Sequence, residues 1–259
     1  MTAYIKALNR FINNQLSDDS YSLNHYHFFQ KCISLYILLH FISLAINIYS
    51  LLSVFEIFLI LTTLISSVFI FFDIKSQFAS LICWFSMVLF CFGNLALYGL
   101  NHDYIGWLLL VMVAIKTDKH SVHLPKVLKT TAWLILGFGY MASGTNKLFL
   151  TNFWISGTAL ELLYSKSPVF IKFDILDTKT ATIILQSLTW FVLSLELLFL
   201  FCLFNRYTRL IAYFLMTLTH LFIATTTQMT EVSLSALVFH LFVFETEWIN
   251  KKFWTQSDS

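Results

Sequence analysis

Long apolar stretches alternate with short polar segments along most of the chain. Most of these stretches approach the length of about 20 apolar residues that a helix needs to cross a bilayer. The apolar stretches that lie between charged residues predict eight membrane helices, at roughly 32–53, 57–72, 78–100, 104–115, 131–150, 181–204, 209–229 and 232–245. Because the fourth and eighth stretches are short, seven spans, or one re-entrant segment, are the alternatives.

The segments outside the apolar stretches divide the chain further. Near the N-terminus, apolar residues recur at helical spacing: Ile5, Leu8, Ile12 and Leu16. This pattern is typical of a helix that lies in the membrane interface. We therefore predict an interfacial segment over 1–31, a transmembrane bundle over 32–250 and a short polar tail over 251–259. Within the bundle, the more polar segment 151–180 is predicted to be external and partly interfacial.

Composition supports a membrane protein and excludes several other classes. The 259-residue chain is 58% hydrophobic and only 12% charged, whereas a soluble domain has about 25% charged residues. A soluble enzyme, a nucleic-acid-binding protein and a disordered chain are excluded, because no such chain could carry this much apolar surface in water. The predicted fold is an all-α, polytopic helical bundle whose partner is the lipid bilayer, with no nucleic-acid partner.

The basic residues predict the orientation of the bundle. With eight spans and the N-terminus inside, cytoplasmic segments hold twelve Lys and Arg residues and external segments hold three. Basic residues accumulate on the cytoplasmic side of membrane proteins. Both termini are therefore predicted to be cytoplasmic.

Glycines mark one region of the bundle. All seven lie between residues 93 and 157. Glycine lets membrane helices approach each other closely. This window is therefore predicted to be the most tightly packed part of the protein.

Ionisable residues inside membrane spans are costly, which makes them candidates for function. Three of those in the predicted spans stand out, and they are Lys147, near the external end of the fifth span, Glu196 and His220. For Lys147 two interpretations stay open: a lysine that extends to the interface, or a partly buried amine that serves as a general base.

The predicted topology suggests partners for these groups. His102, within Asn101-His102-Asp103, opens the fourth span on the external side, where the fifth span ends close to Lys147. His102 is accordingly predicted either to lie beside Lys147 or to be an interfacial residue that starts a helix. Glu196 needs a partner, and His220 or a backbone or hydroxyl donor is predicted. A structural pair, a proton relay and a contact with substrate are the open interpretations.

Other histidines are less informative. His40 and His240 lie on apolar helix faces and are predicted to be core residues with satisfied hydrogen bonds. The pair His120-x-x-His123 lacks further ligands, so no metal site is predicted.

An ordered set of motifs resembles a known family. Asn101-His102-Asp103-Tyr104, Gly144-Thr145-Asn146-Lys147-Leu148 and Trp154-Ile155-Ser156-Gly157 resemble the HTTM (horizontally transferred transmembrane) domain family, which includes the membrane part of vitamin K-dependent gamma-carboxylases. Glu196-Leu197-Leu198 and His220 are similar to its later helices. The resemblance covers roughly 94–245.

This resemblance implies a chemistry. It makes Lys147 the base that deprotonates a reduced vitamin K-type quinol, and it gives His102 the role of stabilising the anion. It further marks Asn101, Trp154, Glu196 and His220 as polar or aromatic residues of the site. Carboxylases, however, carry a Lys-Lys pair where this chain has Asn146-Lys147, and they have a large external domain that has no counterpart in this sequence.

Small bacterial HTTM proteins are therefore the better comparison, and some of them act in the maturation of secreted peptide toxins. The first functional hypothesis is a carboxylase-like enzyme in a bacterial plasma membrane that acts on a quinol-like substrate. The alternative is a non-enzymatic factor that helps a small secreted peptide to mature or to be exported, with 151–180 as the contact surface. A transporter is a third option, indicated only by Glu196.

Overall fold

A computed structural model describes residues 18–94, 99–117, 122–150, 152–165, 178–226 and 229–244. Long helices dominate these residues, and the prediction of an all-α helical membrane bundle is confirmed. The chain forms two compact units, residues 1–129 with 238–259, and residues 130–237.

The first unit contains a small sheet and four helices from the N-terminal half of the chain. Its elements are β1 (Asp18–Tyr21), α1 (Leu23–Ile48), a 3-10 turn (Tyr49–Leu51), α2 (Val54–Phe71), α3 (Ser76–Gly93), α4 (Leu100–Ala114), β2 (Lys116–Thr117) and β3 (Val122–Pro125).

The second unit contains most of the remaining helices. These are α5 (Lys126–Leu150), α6 (Asn152–Ile155), α7 (Ala159–Ser165), α8 (Thr178–Cys202), α9 (Arg206–Thr226) and α10 (Thr230–Val243). Helix α5 begins just before the boundary of this unit, and α10 ends beyond it, in the first unit.

Each predicted apolar stretch overlaps one main helix of the described residues, with differences at the ends. Among the described residues, α1, α2, α3, α8 and α9 are long and apolar enough to cross a membrane. Helices α4 and α10 are shorter, with 15 and 14 residues. Helix α5 has 25 residues but includes three lysines and three glycines, which lower its apolar content.

The start of the first helix differs from the prediction. Helix α1 begins at Leu23, nine residues before the predicted start at 32, because polar side chains in its first turns find partners within the unit. His25 Nε2 lies 2.8 Å from the carbonyl oxygen of Leu241, and Gln30 Nε2 donates to the carbonyl oxygen of Ile70 at 2.6 Å. The amphipathic pattern from Ile5 to Leu16 lies outside the described residues.

The small sheet was not predicted. Its strands are antiparallel in the order β1-β3-β2, with Tyr21 opposite Val122 and Lys116 opposite His123. This sheet joins residues just before α1 to the segment that follows α4. The predicted N-terminal segment 1–31 therefore contains a strand and the start of a helix.

Each unit buries a core of its own. In the first unit, α1 buries one helical face made of Phe29, Ile33, Ile37 and Phe41, each at most 1% exposed. In the second unit, Leu160, Leu185 and Val192 form a buried cluster, against which Trp154 packs. The second cluster places α6 and α7 beside α8, which matters for the site described next.

Candidate functional site

Lys147 and Glu196 form an ion pair between α5 and α8. Lys147 Nζ lies 2.5 Å from Glu196 Oε1. The Glu196 side chain is 8% exposed and that of Lys147 is 23% exposed. A lysine that simply extended into the membrane interface would not need this partner, so the pair favours the partly buried interpretation of Lys147.

Gly144, one helical turn before Lys147, allows the two helices to meet. A Cβ atom at Gly144 would lie 3.1 Å from the backbone nitrogen of Leu197 and 3.2 Å from Glu196 Cβ. Only a residue without a side chain fits this approach. Gly137 lies equally close to α8, which supports the predicted tight packing, whereas Gly93 has open space around it and does not follow that prediction.

Trp154 lies over the lysine. Lys147 Nζ is 4.3 Å from the centre of the Trp154 ring, a distance typical of a cation–π contact. The tryptophan belongs to the short helix α6, and Gly157 then turns the chain with a positive φ of 77°. A Cβ atom at Gly157 would meet Trp190 Nε1 at 2.8 Å, so the spacing Trp-x-x-Gly fits this turn against α8.

The carboxylate of Glu196 is only partly satisfied. Its Oε2 atom is buried and has no hydrogen-bond donor at bonding distance among the described residues. The Ser143 hydroxyl contributes a weaker polar interaction to the same carboxylate. The contact of Oε1 with Lys147 Nζ is therefore the main polar contact of this carboxylate among the described residues.

His220 does not pair with Glu196, which corrects that prediction. The Tyr140 hydroxyl on α5 lies 2.8 Å from His220 Nε2 on α9. Glu196 is bonded to Lys147 because the close approach at Gly144 brings α5, rather than α9, against its carboxylate. The structure thus pairs Glu196 with Lys147 and His220 with Tyr140, neither of which was the predicted pairing.

His102 belongs to the first unit and is bonded to a second histidine. Its Nε2 atom lies 3.2 Å from His40 Nε2, and the backbone N–H of Gly99 donates to its Nδ1 atom at 3.2 Å. Since Nδ1 accepts a hydrogen bond, a neutral His102 ring carries its proton on Nε2. This N–H then donates a hydrogen bond to Nε2 of His40. His40 is thus a buried, satisfied histidine, as predicted, but its partner is a candidate site residue.

A second polar pair extends this histidine pair. Asn101 Nδ2 donates to the Tyr36 hydroxyl at 3.3 Å, and the Tyr36 ring stacks on His40. Sequence reasoning missed Tyr36 and His40 as members of this cluster. Their spacing of four residues puts both on one face of α1, which was the only signal in the sequence.

His102 also borders a cavity of about 310 Å³ between α3 and α4. Its walls are mostly apolar and aromatic, including Trp84, Met87 and Trp107, and the polar members are His102 and Asp103. Binding sites for small molecules have this character and a volume of about 300–1,000 Å³. The cavity therefore has the size and the mostly apolar lining of a small-molecule site.

The predicted neighbours His102 and Lys147 fall into different units of the structure. His102 lies in the unit that contains residues 1–129, and Lys147 lies in the unit 130–237. Their predicted proximity stays a prediction. Within the second unit, the structure does bring together Lys147, Glu196 and Trp154.

We expect Trp154→Leu to lower the free energy of unfolding by about 1–2 kcal/mol, because it removes the aromatic face over a partly desolvated ammonium. Trp154→Phe keeps a ring and should lose less. The measurement is a denaturation curve of the purified protein in detergent. Phe153→Leu is the matched control, since Phe153 is an exposed neighbour on α6. Equal losses for Trp154→Leu and Phe153→Leu would contradict the contact.

Comparison of the chain with known protein families, with curated proteins and with solved structures finds no match. The resemblance to the HTTM family accordingly rests on the ordered motifs in the sequence.

Proposed function

We propose that this protein is a membrane-embedded enzyme of the HTTM type that removes a proton from the hydroxyl of a quinol-like, lipid-soluble substrate. Lys147 is the base in this proposal. The observation that carries it is the partly buried pair of Lys147 and Glu196 beneath Trp154, because ionisable groups inside membrane helices are candidates for acid–base chemistry.

The proposed proton transfer starts from an uncharged pair, in which Glu196 is a neutral acid and Lys147 is a neutral amine. When Glu196 holds the proton of the pair, Lys147 Nζ has a free electron pair and can take the proton of the substrate hydroxyl. The products are a substrate oxyanion and the Lys147 ammonium, while Glu196 stays neutral. The new positive charge stabilises the oxyanion in a medium of low dielectric constant.

The family resemblance gives His102 the role of stabilising the anion, and this role stays a separate prediction because His102 and Lys147 belong to different units. An N–H on Nε2 is the kind of donor that an oxyanion requires. In the structure that atom lies beside His40, so a substrate oxygen would replace His40 as its acceptor. The cavity of about 310 Å³ beside His102 supports a lipid-soluble ring as substrate.

The proposal includes the topology predicted from the basic residues: eight crossings, both termini in the cytoplasm and a bacterial plasma membrane. The twelve-to-three distribution of Lys and Arg supports it. The ends of α4 and α5 that carry His102 and Lys147 would then face the external side.

The test is conversion of a reduced naphthoquinone by the full chain in nanodiscs. One quinol and one O2 would give one epoxide and one water, which chromatography quantifies. We expect Lys147→Ala to lower the rate by a factor of about 10² to 10⁴, the usual contribution of a general base. Lys147→Arg should lose as much, because a guanidinium keeps the positive charge but stays protonated.

Lys147→Arg separates chemistry from structure. If the lysine serves only to pair with Glu196, the arginine variant should retain activity. Lys179→Gln, which removes an exposed lysine at the start of α8, is the control and should match the unaltered protein. Epoxide formation that survives in Lys147→Arg would refute the role of Lys147 as base.

The second candidate function is a membrane factor for maturation or export of a small secreted peptide. It is favoured by Phe153 and Ile155 on α6, which are 54% and 45% exposed beside the site. In that case no epoxide forms. Peptide maturation would then depend on the apolar residues of α6 and would be indifferent to Lys147→Arg.

A further inference from the structure

The N-terminal part of helix α1 extends beyond the end of α2. There it forms a corner with the turn between α2 and α3. Gln30 holds this corner, because its Nε2 atom donates to the Ile70 carbonyl oxygen at 2.6 Å and to Asp73 Oδ1 at 2.9 Å. Asp73 and Lys75 both adopt left-handed backbone conformations, with φ of 56° and 48°. The turn between α2 and α3 is therefore fixed against α1 by a buried side chain.

This corner encloses a cavity of about 570 Å³. Its walls carry charges of opposite sign, with Lys31 on α1 and Asp73 on the turn, and further polar groups from Asn24 and His27. Phe28 and Phe72, which also line it, are 58% and 66% exposed. The cavity thus combines a basic group, an acidic group and an apolar border.

The length of α2 places this cavity at the level of lipid headgroups. Helix α2 has 18 residues, which at 1.5 Å per residue gives about 27 Å, close to the hydrocarbon thickness of about 30 Å. Its last residue, Phe71, therefore marks an edge of the hydrocarbon. With α2 as a span, Lys31 and Asp73 would lie at the level where charged groups meet the phosphates and amines of lipids.

We propose that this corner binds the headgroup of a phospholipid that carries a primary amine, such as phosphatidylethanolamine. Lys31, with the side chains of Asn24 and His27, binds the phosphate. Asp73 accepts hydrogen bonds from the lipid ammonium, and Phe28 and Phe72 contact the acyl chains. An anionic glycerol headgroup would leave Asp73 without a cation, and a choline headgroup has no N–H to donate to it.

The test measures lipid binding to the delipidated full chain by native mass spectrometry. The probes are dioleoyl phosphatidylethanolamine, phosphatidylcholine and phosphatidylglycerol, and soluble phosphoethanolamine. We expect the unaltered protein to bind phosphatidylethanolamine at least five-fold more tightly than the other two lipids. Binding of soluble phosphoethanolamine with equal affinity would overturn the assignment to a membrane lipid.

Two substitutions test the acidic residue and the basic residue of the cavity separately. Asp73→Asn should bring phosphatidylethanolamine down to the affinity of the other lipids, because asparagine tolerates the left-handed conformation and still accepts the bond from Gln30. Lys31→Gln should weaken all three lipids. Lys179→Gln removes a lysine elsewhere and should change nothing. A preference that survives in Asp73→Asn, or equal binding of the three lipids by the unaltered protein, would overturn the proposal.

Discussion

Glu196→Ala is expected to destabilise the protein by about 3–5 kcal/mol, the cost of breaking a buried ion pair by removing one partner. The substitution leaves Lys147 without its carboxylate, and it also empties space beside Gly144, where α5 and α8 are in close contact. The measurement is equilibrium unfolding in mixed detergent micelles, followed by the change in helical signal.

A double-mutant cycle identifies the cause of this loss. Glu196→Leu and Lys147→Met each remove one member of the ion pair and keep the other, whereas the double variant removes both charges and keeps side chains of similar volume. We expect the double variant to be more stable than either single variant, since replacing both members of a buried pair by apolar residues is often neutral. Losses that simply add would show that the two side chains do not interact.

Gly144→Val is expected to cost about 1–3 kcal/mol of stability, the typical cost of overpacking, and to abolish any activity that depends on the pair. The new side chain would meet the backbone of Leu197 and Glu196 Cβ, at 3.1 and 3.2 Å from its first carbon atom. Neither a backbone atom nor a Cβ atom can turn away, so α5 and α8 must shift apart to accommodate the valine, which strains the contact between Lys147 and Glu196.

Gly93→Val is the matched control for this substitution. Gly93 is the last residue of α3, and a Cβ atom there would meet no other atom within 4 Å. Both variants add the same β-branched side chain at a helical glycine. A similar loss in stability for the two would show that backbone conformation, rather than contact between α5 and α8, accounts for the effect at Gly144.

The sequence predicted the helices and the main polar residues because both depend on local composition. An apolar stretch has the same character wherever its helix packs, and Lys147 and Glu196 stand out because charges are rare in such stretches. Their pairing was not predictable, because it depends on how each helix is rotated about its axis. The close approach at Gly144 determines that rotation and directs Glu196 to Lys147 rather than to His220.

The first unit illustrates a second limit of the sequence. His40 looked like an isolated core residue, because its partner His102 is 62 positions away. The early start of α1 was missed because Gln30 and His25 are polar residues whose hydrogen bonds go to Ile70 and Leu241, which are distant in the chain. Polar groups with remote partners make a helix look shorter than it is.

The three-stranded sheet restricts how many times the chain can cross a membrane between its first and last strands. Hydrogen-bonded strands must lie on one side of a bilayer, and β1 pairs with β3, so a membrane-spanning chain would cross an even number of times between Tyr21 and Val122. Among the described residues of this stretch, α1, α2 and α3 have the length and composition of a span. If all three cross, the 15-residue α4 must cross as well. The pairing of two short strands thereby links the crossing of α4 to that of the three helices before it.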